Sequence, residues 1–155
     1  MEGARPATEG DAPRLGALAD QAIEELRLGR GGAVWARTQA RRPPFEARFV
    51  EEIESAGHHV LVGTYDGSVL GYAVARLDEL ADASRIGVIS DLYVEPLARE
   101  VGIGEALMDG LVAWCVAQGC TGVDSLALPG DRHTKNFFES FGLVARAILV
   151  HKELR

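Results

Sequence analysis

The residues best placed to do chemistry lie at one junction, where Ser90-Asp91-Leu92-Tyr93-Val94 reads as a strand and Ile103 to Ala117 as a helix. Between them runs Arg99-Glu100-Val101-Gly102-Ile103-Gly104. Two glycines one residue apart let successive backbone N–H groups turn toward one point without a Cβ in the way. The first turn of the helix adds unpaired donors and the positive end of its dipole. The chemistry is anion binding, with a pyrophosphate as the natural occupant. Arg99 either adds a charge-assisted contact or braces the loop. On spacing alone, an ordinary tight strand-to-helix connection competes with this reading. Two other glycine motifs do not fit, since the Gly-Lys-Ser/Thr ending of a nucleotide P-loop and the third glycine of a dinucleotide fingerprint are both missing.

The pattern Pro96-x-x-Arg99-x-x-Gly102-x-Gly104, after a strand ending Leu92-Tyr93-Val94, resembles the coenzyme A signature of the GNAT N-acetyltransferase superfamily. Lys135-Asn136-Phe137-Phe138-Glu139-Ser140-Phe141-Gly142-Leu143 also resembles that family's late helix. The resemblance implies an acetyl-CoA-dependent N-acetyltransferase whose amine acceptor attacks the bound thioester directly, with acetyl-CoA as co-substrate and no metal. It puts the pyrophosphate on backbone donors around Glu100, Val101, Gly102, Ile103, Gly104 and Glu105, helped by Arg99. The pantetheine arm would lie along Leu92, Tyr93 and Val94.

The remaining roles are protonic. An amine with a pKa near ~10 must lose a proton before it attacks. Asp91, on the coenzyme strand, is the candidate base; its other reading is a carboxylate paired with an arginine such as Arg76 or Arg85. Asp78 and Glu79 are candidate amine-recognition charges. The tyrosine that many relatives use to protonate the departing thiolate maps onto Phe138, which has no proton to give. His133 is the candidate substitute, against a packing or capping role at a helix start. A thiolate of pKa near ~8.5 can also leave without an acid. The absent hydroxyl keeps open a different class of function, an acyl-CoA-binding module that senses or assembles without turnover.

Composition narrows the setting. At 155 residues the chain has the length of one domain, taken as 1–155, and 47% hydrophobic content agrees with a globular core. No apolar run approaches the ~18 residues of a spanning helix, and the N-terminus has no apolar signal core, so a cytoplasmic protein without membrane contact is expected. Cys115 and Cys120 read as reduced thiols. His58, His59 and His151 show no ligand spacing. The net charge of -7 argues against nucleic acid. Residues 51–100 carry ten acids against three bases, a field suited to a cationic amine or simply to a solvated surface. From Arg27 to Arg48 six arginines face the single acid Glu46, and Trp35 there is a candidate acceptor-site residue or a surface anchor.

The elements that must position these groups follow from periodicity. A short strand is expected over Ala4 to Thr8, then a helix over 12–28 with Asp11 as N-cap and Pro13 in its first turn. The glycine- and proline-broken stretch from Arg27 to Arg48 is not expected to be regular throughout. A helix over 45–56 precedes a hairpin whose arms, 59–65 and 69–77, flank Asp66-Gly67. Arg85 to Val94 is the next strand, with Ile86, Val88, Ser90, Leu92 and Val94 on one side and Ile89, Asp91 and Tyr93 on the other. A crossover helix leads to a parallel strand over 122–128, then a helix over 132–141 and a closing strand over 143–154, through which two copies can pair as a homodimer. The order matches the GNAT fold: an α/β domain with a mixed, mostly antiparallel sheet, a splayed parallel strand pair and about four flanking helices.

Overall fold

A computed structural model describes residues 1–155. The strands are β1 (Glu2–Pro6), β2 (His58–Tyr65), β3 (Ser68–Glu79), β4 (Arg85–Val94) and β5 (Val123–Ser125). They form one sheet in sequence order, antiparallel throughout except for the parallel β4–β5 pair. The helices are α1 (Ala12–Arg27), α2 (Gly32–Thr38), α3 (Phe45–Glu54), α4 (Ile103–Ala117) and α5 (Arg132–Ser140). Alternation along β2 and β3 divides the core between the two faces. Leu15, Leu18 and Phe49 cover Val62, Tyr72 and Val74 on one face; Leu107, Met108 and Leu111 cover Leu61 and Ala73 on the other. The β2–β3 turn at Asp66 (φ 48) and Gly67 (φ 86) has the doubly positive φ that matches strand twist.

Helix α4 is fixed tightly because Ile103, Leu107, Met108 and Leu111 are almost fully buried, each stabilising by about 1.5–3 kcal/mol. Its approach to the sheet is close enough that a Cβ at Gly110 would fall 2.6 Å from Leu61 Cδ1. This packing holds the start of α4 at the C-terminal end of β4.

One irregularity matters for the site. Val74 pairs with Asp91 but Ala75 pairs with Ile89, so Ser90 is an extra residue, a β-bulge. The bulge resets the alternation. Ile89 therefore packs with Leu92 and Val94 on the α4 side, while Tyr93 packs with the α1/α3 core. The simple period-two reading that put Ile89 beside Asp91 and Tyr93 is corrected here, because one inserted residue flips every side chain before it.

Other expectations shift too. β1 lies two residues earlier than expected, in register with Leu61 to Tyr65. Asp11 precedes α1, but its carboxylate accepts from Thr8 N–H and Arg5 instead of capping that helix. The stretch from Arg27 to Arg48 is regular only in part, as expected: its short helix α2 starts after Gly31 in a left-handed conformation (φ 80) and ends where Thr38 Oγ1 donates to Val34 O. The closing strand is not formed: residues 143–155 have no regular structure, and Val144, Ile148, Leu149 and Val150 are more than four-fifths exposed. Beside them β5 offers only three paired residues, and the polar tie across is Arg146 to Asp124. The pairing of two copies expected through that strand has no formed strand to use. No helix is long and apolar enough to cross a membrane.

Candidate active site

The loop entering α4 has two departures from ordinary backbone separated by one residue, Glu100 at φ 72 and Gly102 at φ 95. Such turns present successive N–H groups to one side. None of the N–H groups from Glu100 to Glu105 donates to a turn, loop or cap acceptor; the first bond at the helix head runs from Ala106 N–H to Gly102 O at 3.0 Å. No side chain caps this end either. The cradle therefore fits a phosphate-bearing ligand: it has a run of free donors, a dipole end and small residues at Gly102 and Gly104. Gly102 needs its identity twice over, because its φ is positive and a Cβ would meet Glu2 Cγ at 3.0 Å.

Arg99 takes the bracing role. Its Nε donates to Val94 O at 2.8 Å and its two terminal nitrogens to Glu25 on α1 at 3.0 and 2.8 Å. The Glu25 hydrogen bonds hold its pKa above the ordinary arginine value. Glu100 is the residue out of place, since a side chain at positive φ costs about 1 kcal/mol or more. Glu100→Gly is expected to raise stability by about 1 kcal/mol and, by removing a carboxylate from the rim, to tighten coenzyme binding severalfold. Urea midpoints and coenzyme titration check this; a lower midpoint would refute the strain argument.

Beside the cradle, β4 has an open edge. Parallel pairing with β5 stops at Ile89 and Ser125, while β4 continues to Val94. Glu95 N–H bonds back to Leu70 O, whereas the Val94 carbonyl takes Arg99, so by alternation the backbone groups of Leu92 and Val94 face the open side. Tyr93 points away into the core, with burial, then Glu25, raising its hydroxyl pKa. A crevice thus opens from the bulge at Ser90 to the head of α4.

Asp91 sits at the bulge end of that crevice, and its carboxylate is fully engaged. Arg41 Nε and Nη2 donate to its two oxygens at 3.0 Å each, Tyr72 O–H at 2.9 Å and Ser90 O–H at 2.7 Å. Arg41 also grips Glu52 with two bonds of 2.7 and 2.8 Å, and its side chain is only 6% exposed. Burial alone would lower the Arg41 pKa; the bonds to Glu52 and Asp91 outweigh it and hold the guanidinium charged. Burial, reinforced by Asp91, pushes the Tyr72 hydroxyl well up, so it remains a donor. The arginine partner of Asp91 is thus Arg41, neither Arg76 nor Arg85. Arg76 bonds Asp78 at 3.2 Å, and Glu79 is exposed at the end of β3.

His133 is exposed in the first turn of α5, whose cap is Asp131 accepting from Thr134 N–H at 3.2 Å. Phe138 is buried at 6% exposure among α4 side chains. Its neighbour Phe137 faces the cradle, 3.5 Å from where a Gly104 Cβ would stand. Trp35 is half-buried on α2. Sequence reasoning missed Arg41, Glu52 and Tyr72; the arginine-rich run was the visible signal, but not which arginine turned inward. A hollow of about 990 Å³ between α1 and α3 lies away from the crevice. A second cavity, about 250 Å³, meets it at Ser90 and Asp91.

An open parallel pair beside a donor-rich helix head defines the class: an α/β domain whose sheet opens a crevice at a helix N-terminus. Solved structures share its fold: a Bacillus halodurans protein (20% identity, 98% of this chain and 99% of that one, TM-score 0.82) and glucosamine-6-phosphate N-acetyltransferase from Arabidopsis thaliana (18%, 100% and 99%, 0.72). AAC(6')-Iy, in complex with the bisubstrate analogue CoA-S-monomethyl-acetylneamine, is similar at 16% identity over 100% and 99% of the two chains, TM-score 0.76. No curated protein matches. The model of the acetyltransferase (GNAT) family matches residues 18–143, and the chain belongs to that family of acetyltransferases.

Proposed function

We propose that the protein is an acetyl-CoA-dependent N-acetyltransferase acting on a primary amine. The run of free N–H groups from Glu100 to Glu105, beside the open edge of β4, carries this reading. Bound acetyl-CoA supplies an activated acetyl thioester. The chain's own contribution is positional. Backbone donors at the head of α4 hold phosphate oxygens, and the open groups of Leu92 with the Val94 N–H take amides as an added strand would. In this reading an N–H near Val94 polarises the thioester carbonyl.

Asp91 supports a positioning role better than that of a free base, because four donors already occupy its oxygens. The acceptor would then lose its proton to solvent, directly or through a water chain, and the leaving sulfur needs no acid near its ordinary pKa. With Phe138 buried and lacking a hydroxyl, His133 is the remaining proton donor to test.

The test is release of coenzyme A thiol from acetyl-CoA with pooled primary amines, from neutral to alkaline pH. Amine-dependent release that increases with pH is expected. Tight coenzyme binding with no release from any pool would favour the silent acyl-CoA-binding module instead, the reading that Phe138 supports.

A further inference from the structure

The cavity of about 250 Å³ that opens onto Ser90 and Asp91 has an unusual lining for a protein of net charge -7. One of its ten lining residues is hydrophobic, so it is a polar site, not an apolar gap. Four arginines, Arg41, Arg42, Arg48 and Arg76, face two carboxylates, Glu52 and Asp91, which leaves a formal +2. Both carboxylates are already consumed by the buried Arg41. With Asp78, the partner of Arg76 just outside the lining, also counted, the formal charge falls to +1, and the arginines left without an acid are the exposed Arg42 and Arg48.

Two arginines of the lining, Arg42 and Arg48, are exposed and have no acid partner. Arg42 donates through Nη2 to Arg37 O at 2.9 Å, at the end of α2, and has no carboxylate partner. Arg48 on α3 reaches Pro43 O through Nε at 3.5 Å and likewise pairs with no acid. Arg76 shares its charge with Asp78 at the half-exposed rim. His58 closes the side, its Nδ1 3.0 Å from Ser55 Oγ. Guanidinium groups tethered by one nitrogen, with others free, suit a planar or tetrahedral oxyanion. With Glu52 and Asp91 both bound to Arg41, the side of the cavity formed by Arg42 and Arg48 is the positive one and attracts an anion.

We propose that the acceptor amine also carries an anionic group, a carboxylate or a phosphate, which Arg42 and Arg48 hold with help from Arg76 while the amine lies at Ser90 and Asp91. The proposal rests on the N-acetyltransferase reading above and names its substrate class. It runs against the cationic acceptor that the acidic charge of residues 51–100 suggests, because that charge is counted along the sequence, whereas the cavity gathers arginines from α3, β3 and the loop after α2.

The experiment uses matched acceptors: an amino acid against its amide, and an amino sugar against its phosphate ester. Binding is measured by calorimetry on full-length protein saturated with coenzyme A, which fills the cradle and removes it as a competing anion site. Turnover is measured on the same pairs. The anionic member is expected to bind at least tenfold tighter, and Arg42→Gln and Arg48→Gln should erase that advantage without changing coenzyme affinity. Comparing the two pairs separates carboxylate from phosphate. Equal affinity within both pairs, or an advantage that survives both substitutions, overturns the proposal. Turnover of amines without charge preference refutes the anionic acceptor and leaves the transferase reading standing. Arginine-dependent anion binding without turnover supports the site and counts against the transferase.

Discussion

Gly104→Glu is expected to give a folded protein that binds acetyl-CoA at least 100-fold more weakly than the parent. Gly104 lies in the first turn of α4 at ordinary helical φ, so a side chain there strains nothing in the backbone. A carboxylate at a helix start is favourable by about 0.3–1 kcal/mol, so stability should hold or rise. The same carboxylate fills the cradle and repels the phosphates. Each lost charge-assisted hydrogen bond costs about 1.5–3 kcal/mol, and two suffice for the expected loss. Phe137, 3.5 Å from the position of the new Cβ, is at ordinary van der Waals distance and accommodates it. Coenzyme titration alongside thermal unfolding separates the two effects. Unchanged affinity in a folded Gly104→Glu protein would mean that the head of α4 does not hold the coenzyme.

Arg41→Ala is expected to cost about 3–5 kcal/mol of stability, a large share of the roughly 5–15 kcal/mol that a domain of this kind has. The guanidinium satisfies Asp91 and Glu52 at once, and the side chains are only 6%, 10% and 20% exposed. Its removal leaves two partly buried carboxylates facing each other and also strips the cation from the face of Phe49, now 4.0 Å away. Orphaned carboxylates acquire raised folded-state pKa values, and a group so raised is less destabilising once protonated. The deficit should therefore shrink as pH falls into the carboxylate range and grow above it. Urea denaturation across pH measures this. A triple replacement, Arg41→Met with Asp91→Asn and Glu52→Gln, should recover much of the loss, since neutral groups need no counter-charge. A loss below about 1 kcal/mol, independent of pH, would show that the pair is solvated and the cluster unimportant to the wall of the cavity.

The amino-acid sequence by itself determined most of the frame. Apolar period, caps and turn residues placed α1, α3, α4, α5 and the β2–β3 hairpin within a few residues, because those signals are local and the final packing agrees with them. The motif from Pro96 to Gly104 marked the cradle for the same reason: Gly102 sets its own backbone at positive φ and Gly104 keeps its own position clear of a side chain. What local signals could not give depended on partners far along the chain. The bulge at Ser90 exists only as a mismatch against β3, and it moved Ile89 to the opposite face from Asp91. The absent closing strand depended on whether a neighbouring edge was long enough to receive it, and β5 is three residues. Arg41 was one of six arginines in similar sequence contexts, and only the packing of α3 against the sheet turned it inward between Glu52 and Asp91. That choice was electrostatic and three-dimensional: charges summed along the chain predict a field, but the cavity wall depends on which ones the fold neutralises and which it leaves free.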